Sequence, residues 1–267
     1  MSVFGKKFTF NGTSSDKYNL VMCAIDSVDI TRETALNLTL NKGELNPYRD
    51  TPNLYSSQYT DVLKFDMTLL KCDTSLISPA EEREIIDWLT SPLSYSLLTI
   101  DDDDTSNGYH EAVEYFAKAV NVSEIVPQGD VSGLTVSFEC NAPYGFSPLQ
   151  TTAFSSTSST TISIENTSDE LYKDYYPTIF LKAGATGTVT FKNSKYPDQV
   201  MEVKVNNAQQ LTIDCQNGDI DDNTGLFDYE TGTNLVWLRL AHGINQITIT
   251  GNCTGEFRCR YIRKVSI

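Results

Sequence analysis

The chain has 267 residues, 40% of them hydrophobic and 21% charged, and its 35 acids against 20 bases give a formal net charge of −15. That length suits one large all-β domain or two medium ones, either able to bury a sizeable core. The acidic balance argues against duplex DNA, RNA or an anionic membrane as docking partners, because phosphate binding needs clustered Lys and Arg; an acidic wall would instead let nucleic acid pass without sticking.

No stretch approaches the apolar length of a membrane span. The opening "MSVFGKKFTFNG" has Lys6 and Lys7 but no apolar core of a secretory signal. The six cysteines (23, 72, 140, 215, 253, 259) form no CxxC and no zinc-finger spacing, so reduced, buried thiols are expected.

In chain order, alternating runs come first. "ALNLTL" (35–40) sets Leu36, Leu38 and Leu40 on one face, and "VLKFDMTLL" (62–70) does the same with Leu63, Phe65, Met67 and Leu69. Period two marks half-buried strands. The segment "SPAEEREIIDWLTSP" (78–92) reads as a helix. Ser78 caps it, Pro79 fits the first position, Glu81 and Glu82 suit the positive end, and Ile85, Trp88 and Leu89 share a face. "YHEAVEYF" (109–116) reads equally as a short helix or a strand. "LTVSFEC" (134–140) is a strand with Cys140 on the inward face and Glu139 on the other. "NAPYGFSP" follows, where Pro143, Gly145 and Pro148 make a joint, with Tyr144 and Phe146 covering the seam between domains.

After Pro148 the texture changes. "TTAFSSTSSTT" (151–161) is low in charge, and then come "TISIEN", "YPTIFLKA", "GTVTFKN", "MEVKVNN", "LTIDCQNG", "NLVWLRL", "NQITITG" and "FRCRYIRK", separated by Gly, Asn and Asp turns. Seven or eight such strands predict an antiparallel β-sandwich or jelly roll.

Chemistry is sparse. Cys140 has no imidazole beside it and shares a face with Leu134, Val136 and Phe138, so it reads as a core residue rather than a nucleophile. His110 and His242 are the sole histidines, both in loops without a catalytic motif. The run Asp101 to Asp104 reads as a solvated loop. "DIDDNTGLFDYE" (219–230) has Asp219, Asp221, Asn223 and Glu230 near a calcium-loop spacing, but Gly225 is not the sixth residue and strands flank it. No catalytic residue, cofactor or metal is assigned. In "LVWLRL" the alternation turns Val236, Leu238 and Leu240 inward and Trp237 with Arg239 outward. Those two are the candidate interaction surface, for a sugar or a protein partner, against the plainer reading that Trp237 packs.

"FTFNGTSSDKYNLVMCAID" (8–26), "EIIDWLTSP" (84–92), "LTVSFECNAPYGFSP" (134–148), "YYPTIFLK" (175–182) and "WLRLAHGINQITITG" (237–251) occur in this order. The ordered set resembles the distal tail protein (Dit) family of tailed bacteriophages, over nearly the whole chain. The resemblance implies a mainly β protein of the virion tail tip, made in the host cytoplasm and not an enzyme. Residues 1–148 would be a belt domain, a β-sandwich with one helix, closing a homo-hexameric ring. Residues 149–267 would be a galectin-like β-sandwich outside that ring. The implied partners are the tail tube protein, a Tal-like tip protein and a receptor-binding protein, with DNA passing through the ring's channel unbound and no membrane involved. The alternative is a carbohydrate-binding adhesin using the C-terminal sandwich.

Overall fold

The computed structural model describes residues 6–23, 38–43, 54–73, 75–101 and 112–264. Two compact units emerge, Met1–Phe146 with Arg263–Ile267, and Ser147–Ile262. Both are mainly antiparallel β.

The first unit contains β1 (Phe8–Phe10), β2 (Thr13–Ser14), β3 (Leu20–Met22), β4 (Leu38–Lys42), β5 (Leu54–Tyr59), β6 (Lys64–Lys71), helix α1 (Pro79–Thr90), β7 (Ser96–Ile100), β8 (Glu114–Ile125), β9 (Gly133–Cys140) and β10 (Gly145–Phe146). The main sheet runs β2-β1-β7-β8-β9-β6-β3. Lys6 and Met22 then exchange two backbone hydrogen bonds of 3.0 and 2.8 Å, which joins the β1 end of the sheet to its β3 end. Alternation explains the core: Met67 and Leu69 of β6 and Leu134, Val136, Phe138 and Cys140 of β9 are buried, while the residues between them are not.

Helix α1 forms as its capping signals dictate. The Ser78 hydroxyl accepts from the backbone N–H of Glu81 at 3.3 Å, and Pro79 opens the first turn. Ile85 and Leu89 enter the core with Phe8, Phe10 and Leu98. Trp88 stays half-buried and stacks on Phe8 at 5.7 Å and near Tyr18 at 5.4 Å. The ambiguous run 109–116 resolves from Glu114 onward as strand; its first three residues, with His110, lie outside the described residues, as do Asp102 to Asp104 and residues 35–37.

The second unit holds β11 (Gln150–Ser156), β12 (Ser159–Asn166), β13 (Thr178–Ala183), β14 (Gly187–Asn193), β15 (Val200–Val205), β16 (Gln210–Asp214), β17 (Asp219–Asp222), the one-turn helix α2 (Tyr229–Gly232), β18 (Gly243–Thr250) and β19 (Cys253–Cys259). They form a five-stranded sheet, β11-β19-β13-β16-β17, and a four-stranded sheet, β12-β18-β14-β15. Phe154 and Phe257 from the first, 5.0 Å apart, each meet Phe191 from the second at a centroid distance of 5.9 Å. Gly255 is glycine because a Cβ there would lie 2.0 Å from the Phe180 carbonyl oxygen.

The Ser/Thr-rich run after Pro148 forms β11 and the start of β12, the strand that takes in the expected "TISIEN". One sequence expectation changes here: "NLVWLRL" is not a ladder strand. Leu235 adopts a left-handed φ of 56°. Buried asparagine side chains then take the backbone groups that a neighbouring strand would have used. Asn193 donates to the Arg239 carbonyl at 2.7 Å, and Asn166 to that of Leu240 at 3.0 Å. Leu238 and Leu240 still point inward.

Candidate assembly surface

The ribbon β4–β5 forms its own two-stranded sheet and leads directly into β6. Its register pairs Leu38 with Tyr59 and Leu40 with Ser57, and, on the opposite face, Thr39 with Gln58 and Asn41 with Ser56. Up to the register shift after Asn41, Leu38, Leu40 and Tyr59 therefore share one face and the other is polar; beyond it Lys42 pairs with Leu54. The apolar side chains are not covered: Leu38 and Leu40 are each 45% exposed, Leu54 59% and Tyr55 68%. Bulky apolar groups on an isolated ribbon are unusual for a solvated edge and make it the candidate surface of the first unit. The base of the ribbon is anchored, since Tyr59 packs edge-on against Tyr144 at 5.6 Å. Tyr144 in turn meets Phe146 at 5.5 Å, and Phe146 meets Phe116 of β8 at 5.8 Å. These rings form one aromatic chain within the first unit.

The sequence-derived pair Trp237 and Arg239 lies in the second unit, and both side chains are partly buried. The Trp237 indole packs against the core. Gly218, in the turn before β17, adopts φ 69°, and a Cβ there would come within 3.2 Å of the ring. Arg239 binds Asp174 at 2.9 Å and lies over the ring of Tyr196, 4.0 Å from its centroid. Tyr196 also donates a short hydrogen bond to Asp174. Burial first, and then that carboxylate, push the Tyr196 phenol up to about 12. Arg239 is thus engaged by two side chains of its own unit. Alternation within "LVWLRL" carries no sign of Asp174 and Tyr196, which come from distant loops.

The other candidates separate cleanly. Cys140 is 1% exposed, and burial pushes its thiol up to about 12, the reverse of an activated nucleophile. Glu139 lies 3.7 Å from Lys64. All six cysteines are free, four of them buried. His242 is exposed in a turn, with its Nδ1 3.1 Å from the Ser168 carbonyl oxygen. In the 219–230 segment, Asp219 accepts from Tyr229 at 2.9 Å and Asn223 accepts from the Gln210 N–H at 2.9 Å. Among the described residues no group of three or more His, Cys, Asp and Glu is placed to hold a metal ion. Nor does any described helix have the length and apolarity to cross a membrane.

Two family models match the chain in succession, a phage tail protein N-terminal domain over residues 4–142 and a phage tail C-terminal domain over residues 144–259. No curated protein sequence matches it. Among solved structures, the fold is similar to the SPP1 Dit (gp 19.1) protein, described as a paradigm of the hub adsorption apparatus in phages infecting Gram-positive hosts. The TM-score is 0.65 at 14% identity, over 97% of this chain and 100% of that one. It is also similar to chains of the phage P2 baseplate in its activated conformation, with Ca (TM-score 0.55, 10% identity, 98% and 99% covered) and with Sr (0.52, 10%, 96% and 98%). At such identities the likeness is one of fold. The family models, which together take in nearly the whole chain, go further: this chain belongs to the phage tail proteins, components of the virion, and it carries the mainly β fold seen in Dit.

Proposed function

We propose that the chain is a structural hub of the tail tip and not an enzyme. Six copies close a ring through the first unit, which acts as the belt domain, and leave a channel through which DNA passes without specific binding. The ring joins the tail tube protein to a Tal-like tip protein. The second unit, a galectin-like sandwich, presents its loops to tail-tip or receptor-binding proteins.

The observation that carries this reading is the ribbon β4–β5, whose exposed Leu38, Leu40, Leu54 and Tyr55 call for a protein partner. A ribbon on one copy meeting a different surface on the next is a head-to-tail contact, the kind that closes rings. The net charge of −15 suits a conduit that must not retain DNA. The fold likeness to a Dit hub protein supports the same role.

Native mass and negative-stain imaging test it. Six copies of 29.7 kDa weigh about 178 kDa, in a particle with a central hole. A closed dimer with the ribbon leucines buried between two copies would overturn the reading.

A second reading is saccharide binding by the second unit. What favours it is a cleft of about 300 Å³ beside β15, lined by Thr188, Glu202, Lys204, Glu230 and Asn234 among others. Its hydroxyls, carboxylates, ammonium and amide suit a polyhydroxylated ligand. Binding on a glycan array that is lost in Glu202→Ala supports it, and an array without signal counts against it. Loss in Trp237→Ala instead would place the sugar at Trp237 and Arg239.

A further inference from the structure

The two sheets of the second unit end in four edge strands, and they are treated in two different ways. Two are covered. At β15, the Asn234 side chain accepts from the Glu202 N–H at 3.1 Å and donates to the Val200 carbonyl at 2.7 Å, so one amide stands in for a neighbouring strand. Thr233 adds a backbone bridge to Val203. At β17, the Tyr229 hydroxyl accepts from the Ile220 N–H at 2.7 Å, and Gly225 bridges to Asp222. A single segment, residues 225–234, therefore closes both edges.

The other two edges, β11 and β12, are bare. β11 pairs with β19 alone and β12 with β18 alone, and among the described residues no further strand or side chain caps their outer backbone groups. Residues at both edges are exposed, including Gln150, Thr151, Ala153 and Ser155 of β11. Natural sheets blunt open edges with Lys, Pro, bulges or covering segments. From Gln150 to Asn166 there is no Lys, Arg or Pro, and Glu165 is the one charged residue.

We propose that β11 is a pairing edge for β11 of a second copy of this chain, antiparallel about a local two-fold axis at Ala153. Such pairing supplies main-chain hydrogen bonds to both edges at once, and a two-fold contact uses the same surface on each copy. It sets Thr152 against Phe154, Thr151 against Ser155 and Gln150 against Ser156, so no like charges face each other. Charge selects this edge. Two copies that each carry −15 repel over most of their surfaces, and β11 is a strand without any charge. β12 carries Glu165 and is the less suitable of the two. The contact is separate from ring closure, which we assign to the first unit.

Ala153→Cys in the full chain tests this, in a Leu40→Asp/Tyr55→Asp background so that the ribbon does not contribute. Opposed cysteines on antiparallel edges fall within disulfide reach. Under mild oxidation, Ala153→Cys should give several-fold more covalent dimer than either the parent chain or Lys204→Cys on the covered β15 edge. Equal yields would overturn the proposal. In the same background, Ala153→Lys and Ala153→Glu should each fail to self-associate but pair when mixed, by sedimentation. A mixture no more associated than its components would overturn it as well. Both substitutions are at an exposed position, so the fold is kept, and circular dichroism checks this.

Discussion

The side-chain amide of Asn193 donates to the side-chain oxygen of Asn245, 3.0 Å away, and both residues are almost wholly buried. Asn245 uses its other bonds on the backbone: it accepts from the Ala241 N–H at 3.0 Å and donates to the carbonyls of Ala241 at 2.8 Å and Gly243 at 2.7 Å. This pair replaces a strand and holds the segment from Arg239 to Gly243 against the sandwich.

Asn245→Ala should therefore behave as the loss of a strand contact and not as a surface change. Several buried backbone groups would lose their partners, each costing about 1–3 kcal/mol. We expect the second unit to lose about 3 kcal/mol or more in urea denaturation, while the first unit's transition is unchanged. A loss under about 0.5 kcal/mol, typical of surface sites, would count against the role assigned to Asn245.

Trp88 plays the corresponding part in the first unit. Its indole Nε1 donates to the Phe10 carbonyl at 3.0 Å, 78 residues earlier in the chain, and its ring lies among Phe8, Phe10 and Tyr18. Trp88→Phe keeps the packing and should cost about 1 kcal/mol for the hydrogen bond. Trp88→Ala should cost about 3 kcal/mol. Near-equal losses would mean that packing at this site contributes little.

The ribbon gives the sharpest test of ring formation. Leu40→Asp with Tyr55→Asp alters two exposed side chains, so each copy should fold with an unchanged thermal midpoint. Burying two such groups at an interface stabilises it by about 1.5–3 kcal/mol each. Their loss should weaken association by about a hundredfold or more, read as a shift from ring to monomer in light scattering. An intact ring in this variant would move the interface elsewhere.

Alkaline pH should loosen the fold. Burial holds Cys140 and Cys215 at about 12 and Cys259 at about 11, all above the ordinary thiol value of 9.0, and Tyr196 at about 12 against 10.0. Each folded value lies above its unfolded one. The stabilisation is thus complete below about pH 9 and is lost as pH rises through about 9 to 12. The urea midpoint should fall between pH 8 and pH 10.5. At pH 8, a thiol reagent should titrate Cys23 and Cys72, which are half-buried, well before the other four. Six equally fast thiols would contradict the burial described.

Much of the fold was written locally. The period-two runs of β6 and β9 group Met67 with Leu69, and Leu134 with Val136, Phe138 and Cys140, on one apolar face each, because a strand's side chains alternate whatever it pairs with. Ser78, Pro79 and the spacing of Ile85 and Leu89 placed helix α1 to within a residue or two, since capping acts over one turn. Cys140 read correctly as core from its strand face alone. The sequence by itself thus determined a mainly β chain with one substantial helix, its turn of texture near Pro148, and which side chains of each regular strand share a face.

Partnership was decided only in three dimensions. "NLVWLRL" alternates like a strand, yet Asn166 and Asn193, 46 to 74 residues away, claim its carbonyls. Nothing in its own pattern records that. Arg239 looked free until Asp174 and Tyr196 met it. Leu38 and Leu40 have the same alternation as buried strands elsewhere, and only the tertiary structure leaves them exposed. Alternation reports which side chains share a face. Whether that face meets a core, a loop or solvent depends on long-range contacts, which leave Leu38 and Leu40 of the ribbon β4–β5 and several residues of the edge β11 exposed.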